Sequence, residues 1–85
     1  MTAKEQGASA LIAREVRAEL GRQRLSLRQF ATVVDKDKKW ITRRLSTLET
    51  QITFDDIKII SDALGVPVVQ FIGPWLKRAQ QDLTK

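Results

Sequence analysis

The sequence predicts an all-α fold, and three features of its pattern carry that prediction. Apolar residues recur three and four positions apart in one segment after another, which is the spacing of a helix face. Four of the segments open on residues suited to helix starts, namely Ser26, Asp37, Thr53 and Pro67. Gly65 stands where the fourth segment should stop, in the position glycine favours. Eighty-five residues make one domain with room for a core that needs neither metal nor disulfide. A hydrophobic fraction of 42% suits a folded globule.

Residues 1–7 are polar without periodicity and read as a mobile N-terminal arm, residues 8–72 as the folded domain, and 73–85 as a C-terminal extension. The first helix is expected from Ser9 to about Arg24, with Ile12, Val16 and Leu20 in a stripe flanked by Ala10 and Ala13. Arg14, Glu15 and Arg17 then face outward, and Gly21 weakens the last turn. Ser26 opens the second helix, and Ser26 with Gln29 forms a variant of the capping box, in which two orphan amides are satisfied reciprocally. Leu27, Phe30, Ala31 and Val34 give that helix its inward stripe, and Asp35-Lys36 is the connection to the third.

The third helix lies within Lys36–Ser46, with Asp37 as its N-cap. Ile41 and Leu45 share its inner face and Leu48 extends the stripe, while Lys39 and Arg43 lie on a different face beside Lys38, Trp40 and Arg44. Thr53 starts the fourth helix, Asp55 and Asp56 complement its dipole, and Phe54, Ile57, Ile60 and Leu64 point inward. Pro67 begins the fifth, in which Val68, Val69, Phe71 and Ile72 close the core. Gly73-Pro74 is expected to interrupt the chain, leaving Trp75 to about Thr84 as a short last helix or fraying tail. In that tail Ile72, Leu76, Ala79 and Leu83 again fall at helical spacing.

One local rule is broken. Asp37 as N-cap puts Lys38 and Lys39 in the first turn of the third helix, where partial positive charge already resides and anions are preferred. Sequences tend to agree with themselves across levels except at functional sites. The simplest repair is an anion brought from outside, and the spacing suits a phosphate backbone. The charge distribution points the same way. Between Arg22 and Arg44 stand eight basic residues and two acids, whereas Leu45–Leu76 has Lys58 alone against Glu49, Asp55, Asp56 and Asp62. That asymmetry within a net charge of +5 favours a polyanion-facing surface over a merely solvated one.

Catalysis and metal binding have little to work with. Cysteine, histidine and tyrosine are absent, which removes thiolate chemistry, the usual general base and the commonest metal ligands. Asp55, Asp56 and Asp62 read as capping and surface charges rather than a metal or paired-carboxylate site. An enzyme is therefore not expected, nor is a cofactor, a metal or a small-molecule substrate. No apolar run approaches a membrane span and no signal peptide is visible, so the expected compartment is the cytoplasm.

The run LSLRQFATVVDKDKKWITRRLS (25–46) resembles the helix-turn-helix of the lambda-repressor/Cro-like family of DNA-binding domains. The matching features are Leu25-Ser26, Phe30-Ala31, and Ile41, Thr42 and Arg43. Downstream, ITFDDIKIISDALGVPVVQFI (52–72) is similar to the family's fourth and fifth helices, including Ala63-Leu64-Gly65-Val66. The likeness covers about residues 10–72. The chain departs from the pattern at Asp35, where the turn usually carries glycine, and at Leu27, which replaces a polar phosphate contact of some members. It departs again at Leu45-Ser46, where many members have a glutamate.

The resemblance implies a compact five-helix DNA-binding domain, here with a short C-terminal helix, whose third helix enters the major groove. It places Arg43 at a base edge and Lys38 and Lys39 at first-turn contacts with bases or phosphates. Trp40, one step from the buried face, reads first as a half-covered lid; the sharper reading sets its ring against a thymine methyl or the sugar backbone, and both can hold at once. Arg28, Lys36, Thr42, Arg44, Ser46 and Thr47 are expected phosphate contacts. Members of the family often dimerise through the surface after the fifth helix, here Phe71, Ile72, Trp75, Leu76, Ala79 and Leu83; folding of the tail onto the core is the other reading. The implied function is a small transcriptional regulator, a Cro-like or immunity-type repressor of phage or prophage origin. It would act in a bacterial cytoplasm or nucleoid by occluding a promoter on double-stranded DNA. The alternative is an antitoxin or complex subunit that holds a partner protein through the C-terminal stripe.

Overall fold

The computed structural model describes residues 7–83, in which five α-helices and no strand are found. They are α1 (Ala8–Arg22), α2 (Leu27–Val34), α3 (Lys38–Leu45), α4 (Phe54–Leu64) and α5 (Val68–Leu83). None is long and apolar enough to cross a membrane. The expected N-terminal arm lies outside the described residues except for Gly7, which is the N-cap of α1.

Local chemistry sets the boundaries. The Ser26–Gln29 box is complete: Ser26 Oγ accepts the Gln29 amide at 3.0 Å, and the Gln29 side chain accepts the Ser26 amide at 2.8 Å. Asp37 Oδ1 accepts the Trp40 amide at 2.8 Å and fixes the start of α3. Thr53 and Asp56 form a second box at α4, with Thr53 Oγ1 accepting the Asp56 amide and Asp56 Oδ2 the Thr53 amide. Left-handed residues close three helices: Arg24 after α1, Asp35 after α2 and Gly65 after α4, with φ of 59°, 61° and 71°. Lys36 N–H reaches back to the Ala31 carbonyl and Val66 N–H to that of Ser61, the Schellman closure in each case. Asp35 thus adopts the conformation for which glycine would be the easier residue, and its short polar side chain tolerates it better than most.

Helix α1 packs on α3 and α5, α2 on α3 and α4, and α4 on α5. Between them Val16, Phe30, Ile41, Leu45, Ile60 and Phe71 are fully buried. Each such side chain contributes roughly 1.5–3 kcal/mol of transfer free energy, so α3 is attached by its two inward residues, Ile41 and Leu45.

Four sequence expectations need correction. Phe54 is not inward but 64% exposed; Ile52, just before the helix, is the apolar residue that this end of α4 sends to the core. Val69 is 60% exposed because the inner side of α5 runs through Val68, Phe71 and Ile72. Leu48 lies past the end of α3 with φ 59° and does not extend its stripe. Gly73-Pro74 does not break the chain, since α5 runs through Pro74 as one sixteen-residue helix. Pro74 is exposed, so the ladder bond that it deletes lies on the side where solvent can take over the carbonyl.

Ser61 is 2% exposed and its Oγ has no hydrogen-bond partner among the described residues. A buried hydroxyl without a partner costs on the order of 1–3 kcal/mol. Ser61→Ala is therefore expected to leave the melting temperature unchanged or raise it, and a clear fall in a thermal melt would show that the hydroxyl is satisfied after all.

Candidate nucleic-acid interface

The site is built on α3, whose position depends on its inner face. Ile41 and Leu45 insert between α1 and α2, so the positions that alternate with them are presented outward. Lys38, Lys39 and Arg43 are all exposed. Among the described residues no carboxylate pairs with any of the three. The two lysines occupy the first and second positions of the helix, directly after the Asp37 cap. Asp37 offsets part of the local positive charge, but its carboxylate is engaged with the Trp40 amide.

The other sequence-derived residues fall around this helix. Lys36 is exposed in the α2–α3 turn, with its Nζ 5.6 Å from the centroid of the Trp40 ring. Arg28, exposed in the first turn of α2, and Ser46 and Thr47, exposed at the end of α3, keep their side chains at the surface. Thr47 Oγ1 donates to the Thr42 carbonyl at 3.4 Å, so α3 ends in a local turn rather than a free strand of backbone. Thr42 is half-buried.

Arg44 departs from its expected role. Its Nε donates to Asp56 Oδ2 at 3.0 Å, its Nη1 to the Trp40 carbonyl at 3.3 Å, and its guanidinium lies over the Trp40 ring with Cζ 4.2 Å from the centroid. Only 16% of its side chain is exposed. The guanidinium is spent inside the fold, so Arg44 is not a free phosphate contact. Burial pushes the Asp56 carboxyl up, but the Thr53 backbone N–H and the Arg44 guanidinium outweigh it and hold the group below the usual aspartate value.

The expected dimer residues separate. Phe71 is fully buried in the core and cannot take part in an interface. Ile72 packs against that core, Trp75 and Ala79 are half-buried, and Leu76 is 39% exposed. The side chain of Leu83 lies outside the described residues.

Two polar features were missed at the sequence level. Glu19 is buried and accepts hydrogen bonds from Arg22 at 2.8 Å, Gln23 at 2.8 Å and Gln70 at 2.7 Å, tying α1 to α5. The Gln23 bond above all, with Arg22 next, holds its carboxyl below the ordinary glutamate value against the opposing effect of burial. Arg17, read only as an outward charge, donates through Nη1 to the Leu45 carbonyl and so covers the C-terminal end of α3. That end carries partial negative charge, which a guanidinium complements.

Comparison with known proteins yields no matching family model, no matching curated protein and no matching solved structure. The chemistry of the surface is therefore what bears on function.

Proposed function

We propose that this protein is a sequence-specific double-stranded DNA-binding transcriptional regulator of the lambda-repressor/Cro-like kind, acting by occlusion of a promoter. The observation that carries the reading is α3 itself: a short helix, anchored on one side by Ile41 and Leu45, that exposes Lys38, Lys39 and Arg43 with no acid among the described residues paired to them. A helix of this length fits the major groove, where arginine bidentate to guanine is the commonest specific contact. Arg43 takes that role, Lys38 and Lys39 touch bases or phosphates at the first turn, and the exposed edge of Trp40 meets a methyl or sugar. Arg28, Lys36, Ser46 and Thr47 hold the phosphates on either side. A second copy of the chain is the proposed partner at the outer side of α5, where Leu76 and Val69 are exposed beside half-buried Trp75.

The test is selection of bound duplexes from a random pool, with wild type and Arg43→Ala in parallel. Wild type should enrich a defined sequence, palindromic if two copies bind together. Arg43→Ala should lose about 1–3 kcal/mol of binding and relax the preference at one base pair. An equal loss on every sequence would make Arg43 a phosphate contact. Absence of enrichment at moderate salt would favour a partner-binding role over DNA reading.

A further inference from the structure

We infer that Arg44 and Asp56 are positioning residues that fix the roll of α3 and thereby set which bases Lys39 and Arg43 reach. The inference rests on the DNA reading above and assigns the pair a part in its specificity. The inner face of α3 contributes two apolar side chains, Ile41 and Leu45. Such contacts are non-directional and resist translation better than rotation about the helix axis. The directional restraints come from elsewhere. Asp56 Oδ2 accepts both the Thr53 amide at 3.0 Å, as part of the α4 cap, and Arg44 Nε at 3.0 Å. One oxygen thus joins the start of α4 to the side of α3.

The guanidinium of Arg44 then lies over the ring of Trp40, one turn back on the same helix, and donates to the Trp40 carbonyl. Lys39 and Arg43 immediately precede Trp40 and Arg44, so the edge that faces DNA and the edge that is clamped are neighbours around one helix. A side chain extending about 6 Å from the axis moves about 1 Å for a roll of roughly 10°. Productive contacts tolerate about 0.5 Å and 10–20°. Loss of the clamp therefore misplaces the base-reading groups while leaving the positive charge of the face in place.

The sequence supplies a clean reporter, because it has two tryptophans and no tyrosine. In a Trp75→Phe background Trp40 is the sole source of indole fluorescence. The experiment compares this protein with Arg44→Lys, Arg44→Gln and Asp56→Asn versions by thermal melting, acrylamide quenching, and affinity for the selected duplex and a scrambled one. Asp56→Asn keeps an oxygen for the Thr53 amide, and Arg44→Lys keeps the charge, so both variants should fold. Each should lose about tenfold or more in the ratio of specific to non-specific affinity, keep non-specific affinity within about twofold, and show stronger quenching of Trp40. Arg44→Lys behaving as wild type, with Arg44→Gln weakened equally on both duplexes, would overturn the inference and return Arg44 to phosphate contact. Unchanged quenching in every variant would also overturn it. If wild type enriches no duplex, the DNA reading fails by itself, and the quenching alone then decides whether the Asp56–Arg44–Trp40 clamp exists.

Discussion

Replacing Ile41 by aspartate is expected to abolish cooperative folding of the domain. Helix α3 has eight residues, well below the roughly 12–15 that an isolated helix needs to persist in water. It exists because Ile41 and Leu45 are buried, both with no exposed surface. The substitution removes an isoleucine from a packed core, at roughly 2–5 kcal/mol. It also leaves a carboxylate without a partner there, at several kcal/mol more. A domain of this size is stable by roughly 4–13 kcal/mol at about 0.05–0.15 kcal/mol per residue. The loss is thus comparable to the whole. Far-UV circular dichroism should show a sloping, non-cooperative melt, while Ile41→Val, which costs about 0.5–1.5 kcal/mol, should melt sharply at a slightly lower temperature. A wild-type melt for the aspartate variant would mean that α3 presents a different face to the core.

The places where sequence and structure part company share a physical cause. Helix starts were legible because a cap is a local device: Ser26 with Gln29, and Asp37 with the Trp40 amide, act within four residues. Inward stripes were legible wherever several apolar residues agreed, as in α2, and misleading at the ends of helices. Phe54 and Val69 obey helical spacing, yet they sit on the outer side of the first turns of α4 and α5, whose inner side is taken by Asp56 and Ile57 in one and by Val68 in the other. Pro74 does not end α5, since a breaker on the exposed side of a helix loses one bond to solvent while the apolar spacing on both sides continues.

The buried acids carried a signal that periodicity alone could have shown. Glu19 lies three residues after Val16, and Asp56 four before Ile60, so both fall on inner stripes. Their partners were not legible. Asp56 meets Arg44 across twelve residues and Glu19 meets Gln70 across fifty-one, pairings that depend on how the helices are brought together. The role of Arg44 is hidden for that reason: the residue before it, Arg43, is basic and exposed, while its neighbours in space are a carboxylate and an indole.

Reversing Lys38 and Lys39 together to glutamate should separate stability from function. The two lysines stand at the N-terminal end of α3, where a cation is disfavoured and an anion gains about 0.3–1 kcal/mol. Repulsion from the adjacent Asp37 takes back part of that gain, so the variant should melt at or slightly above the wild-type temperature. On DNA the same change removes two charge-assisted contacts, each worth about 1.5–3 kcal/mol, and affinity should fall on the order of a hundredfold or more. The slope of log affinity against log salt should flatten by about 1.8, since each neutralised phosphate contributes roughly −0.9. Were these lysines only part of a solvated face, the first effect would appear without the second. A protein could then have gained stability by losing them at no cost, and their presence in the first turn would have no physical reason. A salt titration of both proteins on one duplex decides between the two: parallel slopes would remove the lysines from the interface, and a flattened slope with an intact melt would place phosphate at the start of α3.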